Sequence, residues 1–483
     1  MLFSYSIGDV WAKVYLFLKP VSKKLLLLRE TVRGIIEPCK SDTTRYAQRA
    51  CAGMEIFMEN DKILEELFTF IDKSPTCFQA VDQVEKRLEQ SGYLKLSEKQ
   101  RWKLEYGKKY YVNRNESAII AFAIPDRQEI RGFHMVAAHS DSPCFKIKEE
   151  ADLKAESCYR KWNTEKYGGM ILSTWLDRPL SVAGRVVIRT SEGELEERLF
   201  QVDRDLVVIP NVAIHMNRDM NKGVEYNPQT DMLPLAGVTE QGEAFTEFLA
   251  EEMGIDAKDI LGKDLFLYNR DHCTRLGLNG ELICGPRLDD LECVYGALEA
   301  AATTQPQYFI NMLLVFDNEE VGSGTKQGAD STFLKDVLAR IRFGLELDEE
   351  QYHCMLADSF LISADNAHAV HPNHPEKADP GNRPYLNHGI VIKHHGAQKY
   401  ATDARSAARM KELCTQAGVP WQVYANRSDI VGGSTLGNIL MAQVSLETVD
   451  IGLPQLAMHS AYETAGADDI GYLVKALKTF YGQ

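Results

Sequence analysis

No two cysteines form a C-x-x-C pair, although the chain of 483 residues carries ten of them. A paired-thiolate metal or redox motif is therefore excluded. The cysteines are scattered, mostly among apolar neighbours, as at Cys284 and Cys293. That predicts reduced, buried thiols and a cytoplasmic setting. No apolar run approaches the ~20 residues that span a bilayer, so no membrane segment is expected. Positive charge is in deficit: 54 Lys and Arg stand against 69 Asp and Glu, a net charge of −15 at pH 7. This argues against nucleic acid and anionic membranes as partners. The glycine-rich stretch from Ser428 to Gly437 lacks the lysine of a P-loop, which removes that kind of nucleotide site. Its backbone N–H groups could still face an anion or a carbonyl oxygen.

What is present is a globular composition, 45% hydrophobic and 25% charged, in a chain too long for one ordinary core. Two or three domains are expected. The first 53 residues stand apart, with nine Lys and Arg against four acids, a net of +5 that leaves −20 on the remainder. The apolar run Leu25 to Leu28 is flanked by Lys23, Lys24 and Arg29, and no clear cleavage pattern follows it. Residues 1–53 are read as an extension outside the fold; a targeting or membrane-surface segment is the alternative.

The rest of the chain alternates helical and extended patterns. Ile63, Leu64, Leu67, Phe68 and Ile71 make one apolar helical stripe, which Ser74-Pro75 ends before a second helix from Cys77 to Leu88. Strands are expected at 110–112, 117–124, 132–138, 308–316, 360–364, 390–393 and 447–453. Several are apolar at nearly every position, the habit of a parallel sheet buried on both faces. His134, inside one of them, is read as a packing residue. Helices are expected over 404–417 and 468–481. Between 149 and 280 the texture is β-rich, with a hairpin of 180–189 and 196–202 and a helix only at 242–253. The fold class is therefore α/β: a mixed, largely parallel sheet with helices on both faces, built from 54–148 and 281–483, plus an inserted β-rich domain at 149–280.

The chemistry concentrates where buried strands end, the place at which open α/β sheets bind ligands. After Phe316 comes Asp317-Asn-Glu-Glu-Val-Gly-Ser-Gly324. Two adjacent glutamates there invite two roles, one as metal ligand and one as general base. The strand ending at Ala138 leads into His139-Ser-Asp141, where the imidazole can bind a metal and the carboxylate can orient a neighbour. Asp289 and Asp290 open a helix, and one of the pair could bridge metals rather than cap the helix. Asp365 repeats the strand-end carboxylate, and His459 follows the last apolar run. Together His139, Asp289, Glu320, Asp365 and His459 can hold two divalent ions with one carboxylate bridging. Nitrogen and oxygen donors without thiolate suit zinc, with cobalt or manganese as substitutes.

Five motifs carry a resemblance to a known family: His139-Ser-Asp-Ser-Pro, Arg287-Leu-Asp-Asp, Asp317-Asn-Glu-Glu-Val-Gly-Ser, Ala364-Asp-Asn-Ala-His-Ala-Val-His-Pro-Asn and Pro454-Gln-Leu-Ala-Met-His-Ser. With Tyr167-Gly-Gly and Trp175-Leu-Asp-Arg-Pro-Leu, the sequence from about Asp61 onward resembles the aspartyl aminopeptidase family of zinc metallopeptidases, which includes vacuolar aminopeptidase. The resemblance implies that His139, Glu320, Asp365 and His459 are terminal zinc ligands, that Asp289 bridges, that Glu319 is the general base and that Asp141 orients His139. It further implies peptide substrates and a dodecamer built from dimers through the insert, with His215 reaching the active site of a neighbouring subunit. Lys393 and Tyr400 match positions that contact the substrate side chain. An acidic N-terminal residue is expected there. The alternatives are a neutral-residue aminopeptidase, a dizinc amidohydrolase acting on N-acyl amino acids, and a shell-forming scaffold with a silent site.

Overall fold

The computed structural model describes residues 59–239 and 244–483. The chain divides into two units, Met1–Lys62 and Ile63–Gln483; of the first only residues 59–62 are described, and they are helical. The extension read at 1–53, and the insert-helix residues 242 and 243, lie outside the described residues.

The second unit is organised by a nine-stranded sheet. In spatial order its strands are Leu94–Leu96, Lys109–Arg114, Ala118–Ala123, Phe309–Phe316, Gly132–His139, Phe360–Ala364, Glu447–Gly452, Ile390–His394 and Trp421–Ala425. The central four, from Phe309–Phe316 to Glu447–Gly452, run parallel, with antiparallel pairings on both sides. Their continuous apolar sequences follow from burial on two faces, since successive side chains point opposite ways. Val136, Ala138, Leu313 and Val315 join one core with Leu67, Ile71, Leu88, Leu291 and Leu473. Met135, Ala137, Met312 and Leu314 join a second core with Phe333, Leu338, Leu436 and Leu440. Each fully buried Leu, Ile or Phe in these layers contributes roughly 1.5–3 kcal/mol.

Parallel strands need long crossovers. The helices Phe333–Gly344 and Glu349–Asp358, which the sequence reading passed over, carry the chain from Phe309–Phe316 toward Phe360–Ala364. A second sheet of six strands lies between Cys144 and Asn269 and has its own core, including Phe145, Trp175, Val182, Phe200 and Leu265. Its hairpin pairs Leu180–Arg189 with Leu195–Gln201. A third sheet, of five short strands, joins Thr274–Leu276, Leu282–Gly285, Glu463–Gly466, Pro454–Leu456 and Ala367–His368. Three-residue strands leave almost no periodic signal, which is why it was not foreseen.

Among the described residues no helix is long and apolar enough to cross a membrane. The expectation of buried thiols needs correction. Cys77, Cys293 and Cys414 are buried, but Cys144, Cys158, Cys273 and Cys284 are half-buried and Cys354 is exposed. Cys354 lies on a helix whose one buried residue is its neighbour Met355.

His134 is a packing residue with a measurable signature. Its ring stacks between Phe309 at 3.8 Å and Phe480 at 4.2 Å, and Nδ1 lies 3.0 Å from the Phe480 carbonyl oxygen. Burial, aided by Arg409 and Arg131 and opposed by that hydrogen bond, pushes its pKa down to about 3. In the unfolded chain the ring titrates near 6.5, so below that pH the unfolded state takes up a proton that the folded state refuses. Stability is complete above pH 6.5 and falls as the pH drops toward 3. At pH 5 this one ring costs about 2 kcal/mol relative to pH 7.5. Denaturant unfolding at both pH values should show His134→Leu losing less stability on acidification than the wild type by that amount; equal losses would contradict this account.

Candidate metal centre

The parallel register brings the strand ends level. Phe316 pairs with His139, and Ser363 pairs with Ala137, so the segments after Phe316 and Ala364 emerge beside His139. Asn318 adopts left-handed angles, with φ 62°, before the short turn Glu319–Val321, and Gly322 at φ 94° releases the chain. Asp289 and Asp290 begin the helix Leu288–Thr303 but depart from helical angles, which frees them from capping. His459 follows Pro454–Leu456 in a tight turn.

Three sets of donor atoms result, each with its members within 4.8 Å of one another: His139, Glu319 and Glu320; His139, Asp289 and Asp365; and Asp289, Glu320 and His459. The Asp289 carboxylate is divided between the others. Its Oδ1 lies 3.6 Å from His139 Nε2 and its Oδ2 lies 3.5 Å from His459 Nε2. His459 Nε2 is also 3.3 Å from Glu320 Oε1. All five residues singled out as ligands thus converge, and Glu319 lies with them.

Backbone carbonyls fix the imidazoles. His139 Nδ1 lies 3.0 Å from the Asp141 carbonyl oxygen, and His459 Nδ1 lies 2.7 Å from that of Gly169. A carbonyl only accepts, so each Nδ1 carries a proton and each Nε2 is turned toward Asp289. The Asp141 carboxylate, 3.5 Å from His139 Nδ1, has closer partners. Its oxygens accept the backbone N–H groups of Glu319 and Glu320, each at 3.1 Å, and the Tyr167 hydroxyl at 2.7 Å. It therefore anchors the two glutamates as well as touching His139. The Tyr167-Gly-Gly motif acquires a role in both places: Tyr167 holds Asp141, Gly169 holds His459, and a Cβ on Gly168 would lie 3.2 Å from that of Glu320.

Two further carboxyls, one of them the second aspartate of the Asp289-Asp290 pair, take backbone-anchoring roles that the sequence does not mark. Asp290 Oδ2 accepts the His139 backbone N–H at 3.1 Å. Glu463 accepts the N–H of Asp289 at 3.0 Å and of His459 at 2.7 Å. The available signal for Glu463 was an acid within the otherwise mostly small or apolar stretch Ala461-Tyr-Glu-Thr-Ala-Gly466. It was hidden because the short strand containing it was not recognised.

These side chains fit divalent cations. Asp141, Asp289, Asp290, Glu319, Glu320, Asp365 and Glu463 crowd two imidazoles and the Lys393 ammonium. Asp289 Oδ1 and Glu320 Oε1 are buried and take part in no hydrogen bond. Buried carboxylate oxygens without hydrogen bonds are costly, and carboxylate oxygens gathered around imidazole Nε2 atoms are what a metal satisfies. Burial, opposed by His139 and reinforced by Asp365, Glu320 and Asp141, pushes the Glu319 carboxyl up to about 8. Burial and Asp289 likewise hold the Glu463 carboxyl well above its usual range.

The remaining candidates are placed differently. Lys393 is 3% exposed, with Nζ 3.5 Å from Asp365 Oδ1 and 5.6 Å from the centre of the Tyr400 ring. Tyr400 is buried against Ala367, Val391 and Tyr424. His215 is exposed on a loop with Val212, Ile214 and Met216, and belongs to none of the three donor sets.

A family model described as aminopeptidase I zinc metalloprotease (M18) matches residues 70–481. A probable M18 family aminopeptidase 2 of Clostridium novyi is 46% identical over 427 residues, covering 87% of this chain and 98% of the relative. Among solved structures, that of the Ape4 and Nbr1 complex aligns with TM-score 0.83 at 34% identity, covering 88% of this chain and 86% of that one. The mApe1 dodecamer of S. cerevisiae aligns with TM-score 0.76 at 25% identity, covering 88% and 97%.

Proposed function

The chain belongs to the M18 family of aminopeptidase I zinc metalloproteases, and from that premise we propose that it releases N-terminal residues from peptides at a pair of zinc ions, which cobalt or manganese can replace. In this reading His139, Glu320, Asp365 and His459 are the terminal ligands and Asp289 is the bridge. The observation that carries it is the Asp289 carboxylate, whose two oxygens face the Nε2 atoms of two different histidines. When bound, the ions supply Lewis acidity, acidifying water and polarising the scissile carbonyl.

The chain's own residues do the rest. Glu319 takes a proton from the attacking water and gives it to the leaving amine nitrogen as the C–N bond breaks. Asp141 holds the Glu319 and Glu320 backbones in place through their N–H groups, which keeps base and ligand at fixed separation.

Residues 54–148 and 281–483 form the catalytic domain in this proposal, and 149–280 the dimerisation insert of a homo-oligomer, a dodecamer built from dimers. Support comes from the separate core under the six-stranded sheet and from the dodecameric mApe1 structure. The exposed Val212, Ile214 and Met216 suit a surface covered by another copy, which would carry His215 toward the neighbour's scissile carbonyl.

For specificity, Lys393 would attract an acidic side chain once Asp365 shares its charge with a metal. A neutral preference has an observation of its own: the ammonium is buried and already paired with Asp365.

Three measurements test these assignments. Glu319→Gln preserves size and removes basicity, so turnover of unblocked dipeptides should nearly vanish with both metals retained; substantial activity in the metal-replete variant would refute the role of Glu319. N-acetylated dipeptides serve as the control, since their cleavage by the wild type would favour the amidohydrolase reading. His215→Phe should assemble normally and turn over poorly, and full activity in that variant would count against a site shared between subunits. Lys393→Met should lower kcat/KM for N-terminal Asp and Glu by roughly 1.5–3 kcal/mol and leave neutral substrates little changed. A wild type that prefers Leu over Asp would instead support the neutral reading.

A further inference from the structure

Glu463 has no part in the chemistry assigned so far, yet its two oxygens accept the backbone N–H groups of two of the ligand residues. We infer that Glu463 is the positioning residue that sets the separation of Asp289 and His459, and thereby the affinity of one of the two metal positions. This rests on the two-ion reading proposed above.

Glu463 opens the strand Glu463–Gly466, which pairs antiparallel with Leu282–Gly285, so that Glu463 lies opposite Gly285, just ahead of the Asp289 segment. It is 2% exposed. Its Oε1 accepts the His459 N–H at 2.7 Å and its Oε2 accepts the Asp289 N–H at 3.0 Å. One planar carboxylate therefore spans the backbones of two residues that are distant in sequence. Those two residues share a single donor set, completed by Glu320.

His459 needs such support. Its φ is 67°, left-handed for a residue with a β-carbon, and Ala457 two residues earlier is at 56°. Left-handed angles at non-glycine residues persist only where the surroundings over-determine them. The surroundings of His459 include the Glu463 oxygen at its N–H, the Ile171 N–H at its carbonyl and the Gly169 carbonyl at its ring. A carboxylate is required chemically, because two N–H donors need two acceptors. An amide of the same shape offers one oxygen and turns an NH2 group against the other N–H.

The consequence is asymmetric. Asp289 belongs to both the Asp289–Glu320–His459 set and the His139–Asp289–Asp365 set, whereas His459 serves only the first, so the first set depends on the clamp through two residues and the second through one. Weakening the Glu463 clamp should therefore release the ion of the first set before that of the second.

The test is metal stoichiometry under graded chelator, read by elemental analysis on the full chain, with unfolding temperature measured in parallel. The wild type should hold two ions. Glu463→Gln should lose one of them at a chelator concentration about 10–100-fold lower than the wild type requires, the usual span for loss of an outer-shell partner. His459→Ala should lose the same ion. Excess zinc should restore kcat in Glu463→Gln with the peptide KM unchanged. Should Glu463→Gln not fold, Glu463→Asp carries the test, since its shorter side chain keeps the charge but cannot reach both N–H groups; intermediate resistance to chelator is expected. Two ions with wild-type resistance in whichever variant folds would overturn the inference. So would simultaneous loss of both ions, or an equal fall in unfolding temperature with and without zinc, because either would make Glu463 a general fold residue. A wild type that holds fewer than two ions would sink the two-ion reading itself.

Discussion

Repulsion among buried carboxyl groups at one edge of the central sheet is the constraint on which the rest of this structure depends. Asp141, Asp289, Asp290, Asp317, Asp365 and Glu463 are buried there, and Glu319 and Glu320 are half-buried beside them. Two imidazoles and one ammonium do not balance that charge. Divalent cations do, and the carboxyls that do not face the donor sets are tied to backbone N–H groups instead. Asp141 binds the N–H groups of Glu319 and Glu320, Asp290 that of His139, and Glu463 those of Asp289 and His459. Charge-assisted bonds of this type are stronger than neutral ones and fix the backbone beneath each ligand.

These clamps tie together parts of the chain that the sheet diagram separates. The central sheet contributes His139 and the turn after Phe316. The five-stranded sheet contributes Glu463 and the approach to His459. The six-stranded sheet contributes Tyr167 at the end of Tyr159–Tyr167, and Gly169 just beyond it. The six-stranded sheet therefore supports the candidate centre from within the same chain, through Asp141 and His459.

Lys393 illustrates how burial changes a residue's meaning. A lysine at a strand end reads most simply as a solvent-facing charge. Here its ammonium is enclosed beside Asp365 and the Tyr400 ring, and burial, which alone would lower its pKa, is overcome by Asp365, Tyr400 and Asp450. It remains a cation across the physiological range, next to a proposed ligand, and so bears on the metal position as well as on any substrate side chain.

The sequence alone determined the layered α/β architecture, because strands apolar on both faces and helices with one apolar stripe can be read from periodicity. It also determined where the chemistry lies: acids and histidines at the ends of buried strands, as at His139, Glu319, Glu320 and Asp365, break an apolar pattern and are visible for that reason. Tertiary structure decided what pattern cannot encode. The five-stranded sheet consists of strands too short to show a period. The roles of Asp290 and Glu463 depend on backbone N–H groups, which every residue but proline possesses and which no sequence signal marks. Whether Asp289 or Asp290 faces the histidines was settled by the local angles of the chain at the head of one helix, and the enclosure of Lys393 by the packing of Tyr400 and Asp365 around it. Local composition fixes which residues can carry charge into the interior; only the folded chain fixes which partners they meet there.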